Sequence, residues 1–162
     1  MTESGRTDAS AALEHLQRRG WTLGVAESLT GGMLAASLIS VPGASATVVG
    51  AIVAYATPLK HSLLGVDAAL LAEHGPVHPE VARQMAEGVR RAVGVDGRDA
   101  DVGISTTGIA GPESPDGQPV GTVFVGVSTP GGSRVLTLRL EGDRDAIRAE
   151  TVRRALGALL AV

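Results

Sequence analysis

Apolar and polar positions along this chain recur with two periods, and the switches between them mark out its elements. From Ala11 the stretch AALEHLQRRG reads as an amphipathic helix, capped by Asp8 or Ser10 and ended by Gly20. Residues 21–26 (WTLGVA) form a short apolar run closed by turn residues and predict a strand. Thr30, Gly31 and Gly32 open a helix over MLAASLIS, which stops at Val41-Pro42-Gly43. Residues 46–57 (ATVVGAIVAYAT) are rich in β-branched side chains and predict a central strand buried on both faces.

Pro58 suits the first turn of a short helix, LKHSLLG, ended by Gly65. Asp67 caps another, DAALLAEHG. His78-Pro79 starts a longer helix with Val81, Met85, Val89 and Val93 on one face and arginines opposite. Residues 100–107 predict a strand. Residues 120–128 and 134–140 predict a hairpin around Thr129-Pro130-Gly131-Gly132. Asp143 caps a closing helix of roughly five turns, to about Leu160.

Helices alternate with strands over the first two-thirds, and then two strands follow one another directly. That order predicts an α/β fold, a three-layer α/β/α sandwich on a mixed sheet. At 162 residues the chain fits one domain of the usual roughly 100–150 residues and excludes two full-sized ones. Residues 1–7 are expected to be disordered and residues 8–162 to form the single domain.

Composition narrows the chemistry. With no cysteine, a disulfide framework, a zinc–thiolate site and a cysteine nucleophile are all excluded. Lys plus Arg number 14 against 17 acidic residues, so no basic excess awaits a nucleic-acid backbone. Trp21, Tyr55 and Phe124 are the only aromatics, too few for a base-stacking platform. The N-terminus lacks the basic-then-apolar pattern of a secretory signal, and the apolar run 46–56 falls short of the ~18 residues that span a bilayer. A cytoplasmic protein that binds neither nucleic acid nor membrane is expected.

Three places can carry chemistry. Ala26-Glu27-Ser28-Leu29-Thr30-Gly31-Gly32 lies where a strand ends and a helix begins, the usual ligand position in α/β folds. Free N–H groups near Gly31 and Gly32 form an anion or oxyanion receptor. Ser28 and Thr30 can equally be simple helix caps. The second place is Tyr55-Ala56-Thr57-Pro58-Leu59-Lys60, holding the chain's single tyrosine and single lysine. Burial can bring a lysine near neutrality as a base, which arginine does not permit. A solvated lysine and a strand-end tyrosine are the plain alternative.

The third place, residues 105–112 (STTGIAGP), resembles a phosphate-cradling turn but lacks the lysine of a P-loop. His74 and His78 are separated by the helix breakers Gly75 and Pro76, so a paired metal site fails, and no metal or cofactor is expected. His15 and His61 read as solvated helix positions. Arg144 and Arg148 lie one helical turn apart, as surface residues or as an anion contact.

VAESLTGG, GAIVAYATPLKHSLLGV, HGPVHPEVARQMAEG, TTGIAGPESPDGQPVGTV and GDRDAIR, in this order, resemble the C-terminal domain of the competence-damage protein family CinA. The resemblance covers about residues 10–160. Family members include a stand-alone nicotinamide mononucleotide deamidase. The resemblance implies the same three-layer fold, and hydrolysis of nicotinamide mononucleotide to nicotinate mononucleotide and ammonia. It maps the family's nucleophile onto Ser28 and its Y-x4-K pair onto Tyr55 and Lys60. The chain departs from the family pattern at Leu29, at His78 and in the loop 113–117.

The mechanism so implied uses no histidine and no metal. Lys60, or a Tyr55–Lys60 relay, takes the Ser28 proton, and backbone amides of Thr30, Gly31 and Gly32 meet the oxyanion. Thr106, Thr107 and Gly108 are expected to line the pocket, and Arg144 to meet the phosphate. Glu27 orients the serine turn or offsets the pyridinium charge, or else bonds structurally to backbone amides. Self-association into a homo-oligomer is expected. Two alternatives stand beside the deamidase: a non-catalytic nucleotide-binding module, and an amidase for another small carboxamide.

Overall fold

A computed structural model describes residues 7–115 and 117–162. In chain order the elements are α1 (Asp8–Arg18), β1 (Leu23–Glu27), α2 (Met33–Ile39), β2 (Val48–Val53), α3 (Thr57–Ser62), α4 (Ala68–His74), α5 (Pro79–Ala92), β3 (Val102–Gly108), β4 (Thr122–Thr129), β5 (Gly132–Arg139) and α6 (Arg144–Leu159). A 3-10 turn, Ala44–Ala46, precedes β2. The five strands form one mixed sheet in the order β2-β1-β3-β4-β5. β1 runs parallel to β2 and β3, and β3, β4 and β5 pair antiparallel.

The helices cover both faces, giving the expected three layers. α1, α2 and α6 pack on one side over the larger apolar core, which includes Leu13, Leu16, Leu34, Leu38, Ile147 and Leu159. On the other side α5 lies across the sheet, with Val81, Met85 and Val89 meeting Leu64, Val66 and Leu71. α5 comes very close because the strands carry glycines beneath it. A Cβ on Gly103 would sit 1.9 Å from Ala86 O, and one on Gly126 would sit 2.3 Å from Ala82 O. Between them Ser105 Oγ donates to Ala82 O at 2.6 Å, so sheet and helix are joined by a hydrogen bond as well as by contact.

Two expectations need correction. The run 46–57 does not form a central strand buried on both faces. Only Val48–Val53 is extended, at the edge of the sheet, with alternate residues exposed. β-branched residues signal a strand, but its place in the sheet is set by which neighbours reach it. α1 is capped not by Asp8 or Ser10 but by Thr7, whose side chain accepts from the Ser10 N–H at 3.1 Å. The stretch expected to be disordered lies, apart from Thr7, outside the described residues. Asp67 and Asp143 cap α4 and α6 as expected. Among the described residues no helix is long and apolar enough to cross a membrane.

Candidate active site

β1 is buried along its whole length and delivers the chain to Ser28 between two parallel neighbours. The Ser28 N–H donates to Thr106 O on β3 at 3.1 Å, with Thr106 Oγ1 at 3.3 Å. The chain then reverses. Gly31 N–H donates to Ser28 O at 3.1 Å, and Gly31 and Gly32 take left-handed φ values of 57° and 102°. That backbone is the reason for two consecutive glycines, since other residues adopt it at a cost. α2 begins immediately afterwards.

Neither Ser28 nor Thr30 caps α2. Gly32 stands at the N-cap, and the first-turn amides are met instead by Glu27, fully buried, whose carboxylate accepts from the N–H groups of Leu34 at 2.9 Å and Ala35 at 3.1 Å. Its charge faces the unpaired amides of a helix start, so the expected pyridinium contact is corrected to the structural role. Thr30 is equally buried, and its Oγ1 pairs with Thr106 Oγ1 at 2.8 Å. The Thr30 and Thr106 side chains therefore hold the serine turn against β3 from below and do not line the cleft.

Lys60 comes from α3 and is only 1% exposed. Its Nζ lies 2.9 Å from Ser28 Oγ and donates to Ala54 O at 2.7 Å, with Tyr55 O further off at 3.4 Å. All three partners are neutral oxygens. Burial without a compensating carboxylate lowers the lysine from its ordinary 10.5 to about 8. In the ammonium form Nζ donates to Ser28 Oγ. In the neutral form its lone pair accepts the serine O–H, while its N–H groups keep the carbonyls.

The tyrosine goes elsewhere. Tyr55 is 62% exposed, and its hydroxyl accepts from Arg144 Nη2 at 3.3 Å. Only its main-chain carbonyl faces Lys60, because the ring points across the cleft mouth. The expected relay through the Tyr55 hydroxyl is thus absent. Arg144 also donates to Gly111 O at 2.6 Å, tying α6 to the loop after β3.

A cleft of about 460 Å³ opens above Ser28 and Lys60, within the size range of small-molecule sites. Thr107, Gly108, Tyr55 and Arg144 line it, as does Glu113. Thr107 Oγ1 is committed to Pro76 O at 2.7 Å. Gly31 and Gly32 do not line the cleft, and the Gly31 N–H is spent within the turn. Among the described residues the N–H groups left without a protein acceptor here are those of Leu29, Thr30 and Gly32.

Sequence reading missed two features. Arg148 Nε donates to Leu29 O at 2.9 Å, reaching the residue after the serine from α6. Only its spacing from Arg144 hinted at a shared direction. His15 and His61 are not simply solvated, since each ring bonds a main-chain carbonyl, Val162 O and Val66 O, at 2.8 Å. His78 caps α5 by accepting from the Glu80 N–H at 3.1 Å.

Residues 6–162 match the family described as the CinA C-terminal domain. A CinA-like protein of Frankia casuarinae is 49% identical over 141 residues, covering 87% of this chain and 31% of the relative. Another, of Gloeobacter violaceus, is 47% identical over 156 residues, covering 94% and 35%. The chain thus spans about a third of the length of the curated relatives it matches. Among solved structures, a competence-damaged protein (CinA) superfamily protein of Klebsiella pneumoniae superposes with a TM-score of 0.87 at 33% identity, covering 96% of this chain and 97% of that one. One of Escherichia coli gives 0.87 at 30% identity, covering 99% and 92%.

Proposed function

The chain belongs to the CinA C-terminal domain family, and on that premise we propose that it is a serine amidohydrolase acting on nicotinamide mononucleotide. The observation that carries this reading is the 2.9 Å contact between Ser28 Oγ and the buried Nζ of Lys60. A lysine lowered to about 8 leaves a useful free-amine fraction near neutral pH, and a hydroxyl within hydrogen-bond reach is what such a base activates. A binding module has no need of either group in that state.

Neutral Lys60 takes the Ser28 proton as Oγ bonds to the carboxamide carbon, and the carbonyl electrons move onto oxygen. The Leu29 and Thr30 N–H groups receive that oxyanion. The Lys60 ammonium returns its proton to the amide nitrogen as the C–N bond breaks, releasing ammonia and leaving an ester on Ser28. Lys60 then deprotonates water as it attacks the ester carbon, and the Lys60 ammonium returns that proton to Ser28 Oγ as the C–O bond breaks, restoring the serine and releasing the acid, which ionises to the carboxylate. Arg144, at the cleft mouth, supplies a planar donor set for the phosphate. Tyr55 shares that rim and serves in binding rather than in proton transfer.

The deciding assay measures ammonia from nicotinamide mononucleotide with the parent, Ser28→Ala and Lys60→Arg. Turnover in the parent, with losses of at least about a thousandfold in both variants, is the expected result. Saturable binding without ammonia in the parent would replace the enzyme by a nucleotide-binding module. Ammonia from other carboxamides only would keep the chemistry and change the substrate.

A further inference from the structure

Arg148 makes a contact that the reaction above leaves unexplained. Its Nε–H donates to Leu29 O at 2.9 Å, while Nη1 has only a long 3.8 Å approach to Asp145. The side chain is 27% exposed, yet it is turned inward onto the nucleophile turn. An arginine on a helix surface gains more solvation by pointing outward, so this orientation calls for a reason.

The two peptide planes after Ser28 are held in the same manner. The Ser28 carbonyl accepts from Gly31 N–H at 3.1 Å, and the Leu29 carbonyl accepts from Arg148. In a trans peptide the C=O and N–H point in opposite directions. Each plane is therefore anchored at its carbonyl and presents its N–H on the far side. Neither the Leu29 nor the Thr30 N–H meets an acceptor among the described residues, although Thr30 is fully buried and Leu29 is 5% exposed. Buried N–H groups without partners are rare in folded proteins. Two in succession beside a nucleophile match the demand of an oxyanion. The first plane is held by main chain alone, whereas the second is held by Arg148.

We propose that Arg148 is a positioning residue for amide hydrolysis: by holding the Leu29 carbonyl it fixes the peptide plane whose N–H, on Thr30, receives the oxyanion. The role rests on the amidase reading above. Arginine suits it because Nε–H lies in a rigid planar group, whereas a lysine ammonium swings on a flexible stem.

The test compares the parent with R148A and R148K by ammonia release, thermal melting and the 15N resonance of the Thr30 amide, which responds to a hydrogen bond on the preceding carbonyl. R148A is expected to lose about tenfold to a hundredfold in kcat, R148K less, with KM within about twofold. The pH of half-maximal rate stays where the parent has it, since Lys60 is untouched, and the Thr30 resonance moves. A lowered melting temperature with kcat within about twofold of the parent's would make Arg148 a brace only and overturn the proposal. A parent that releases ammonia from no carboxamide overturns the amidase reading instead. In that case the positioning role falls with it, whereas an unmoved Thr30 resonance in both variants of an active parent overturns the positioning role alone.

Discussion

Lys60 donates to the main-chain carbonyl of Ala54 at 2.7 Å, and Ala54 in turn gives its own N–H to Glu27 O at 2.9 Å. The base is thereby tied, through one alanine at the end of β2, to the residue preceding the nucleophile. The 2.9 Å separation of Lys60 Nζ from Ser28 Oγ follows from backbone pairing between β1 and the chain after β2, not from a loop.

The pH dependence of turnover follows from that placement. With Lys60 lowered to about 8, the free amine falls tenfold for each pH unit below that value. kcat/KM should rise with unit slope toward pH 8 and level off above it, as a general base requires. Initial rates across pH 6 to 9.5 check this, and a flat profile through pH 8 would remove Lys60 as the base.

The same shift appears in stability. Lys60 titrates near 8 when folded and at 10.5 in its unperturbed state, so the unfolded chain keeps its proton to higher pH. The burial penalty is complete below pH 8, shrinks as pH rises through the window, and is gone above 10.5. Stability therefore increases with pH there. Lys60→Met has no such group. Denaturant melts at both ends of the window should show the parent gaining about 3 kcal/mol relative to Lys60→Met. A difference independent of pH would mean that the lysine is equally charged in both states.

Glu27→Gln separates its two possible roles. Glutamine offers one acceptor oxygen where two amides, Leu34 and Ala35, now meet a carboxylate, and its NH2 would face a donor. Because the site is fully buried, the variant should lose about 1–3 kcal/mol. Thermal and chemical unfolding measure this directly. Were Glu27 a substrate contact instead, KM would rise and stability would hold.

Gly103→Ala probes the seat of α5. The new methyl would stand 1.9 Å from Ala86 O, a backbone atom that moves only if the helix lifts from the sheet. A loss of at least about 2 kcal/mol is expected, read from the shift in the denaturation midpoint. An alanine tolerated without loss would show that α5 packs more loosely than this distance states.

Much of the architecture was legible along the chain. Periodicity placed β1, β3, the β4–β5 hairpin and the six helices within a few residues, because apolar spacing registers one face against a core. It misplaced β2, since a run such as VVGAIV looks alike at the centre and the rim of a sheet. Sheet order depends on crossovers, and those carry no local signature. The Thr7 cap was missed by one residue because Thr7, Asp8 and Ser10 all have the side-chain oxygen a cap needs.

For the site, the sequence by itself supplied the inventory: one lysine, one tyrosine, and a serine at a Gly-Gly turn. It also made α/β architecture the natural frame for them. Only the tertiary structure decided which groups meet. It set Lys60 beside Ser28 across 32 positions, sent the Tyr55 hydroxyl to Arg144, sank the Glu27 carboxylate under α2, and brought Arg148 to the Leu29 carbonyl from 119 positions away. The physical reason is one of range. Propensity and periodicity act within a few residues, whereas a lysine's proton affinity and a carbonyl's partner depend on what is buried beside them, and burial is a property of the assembled fold.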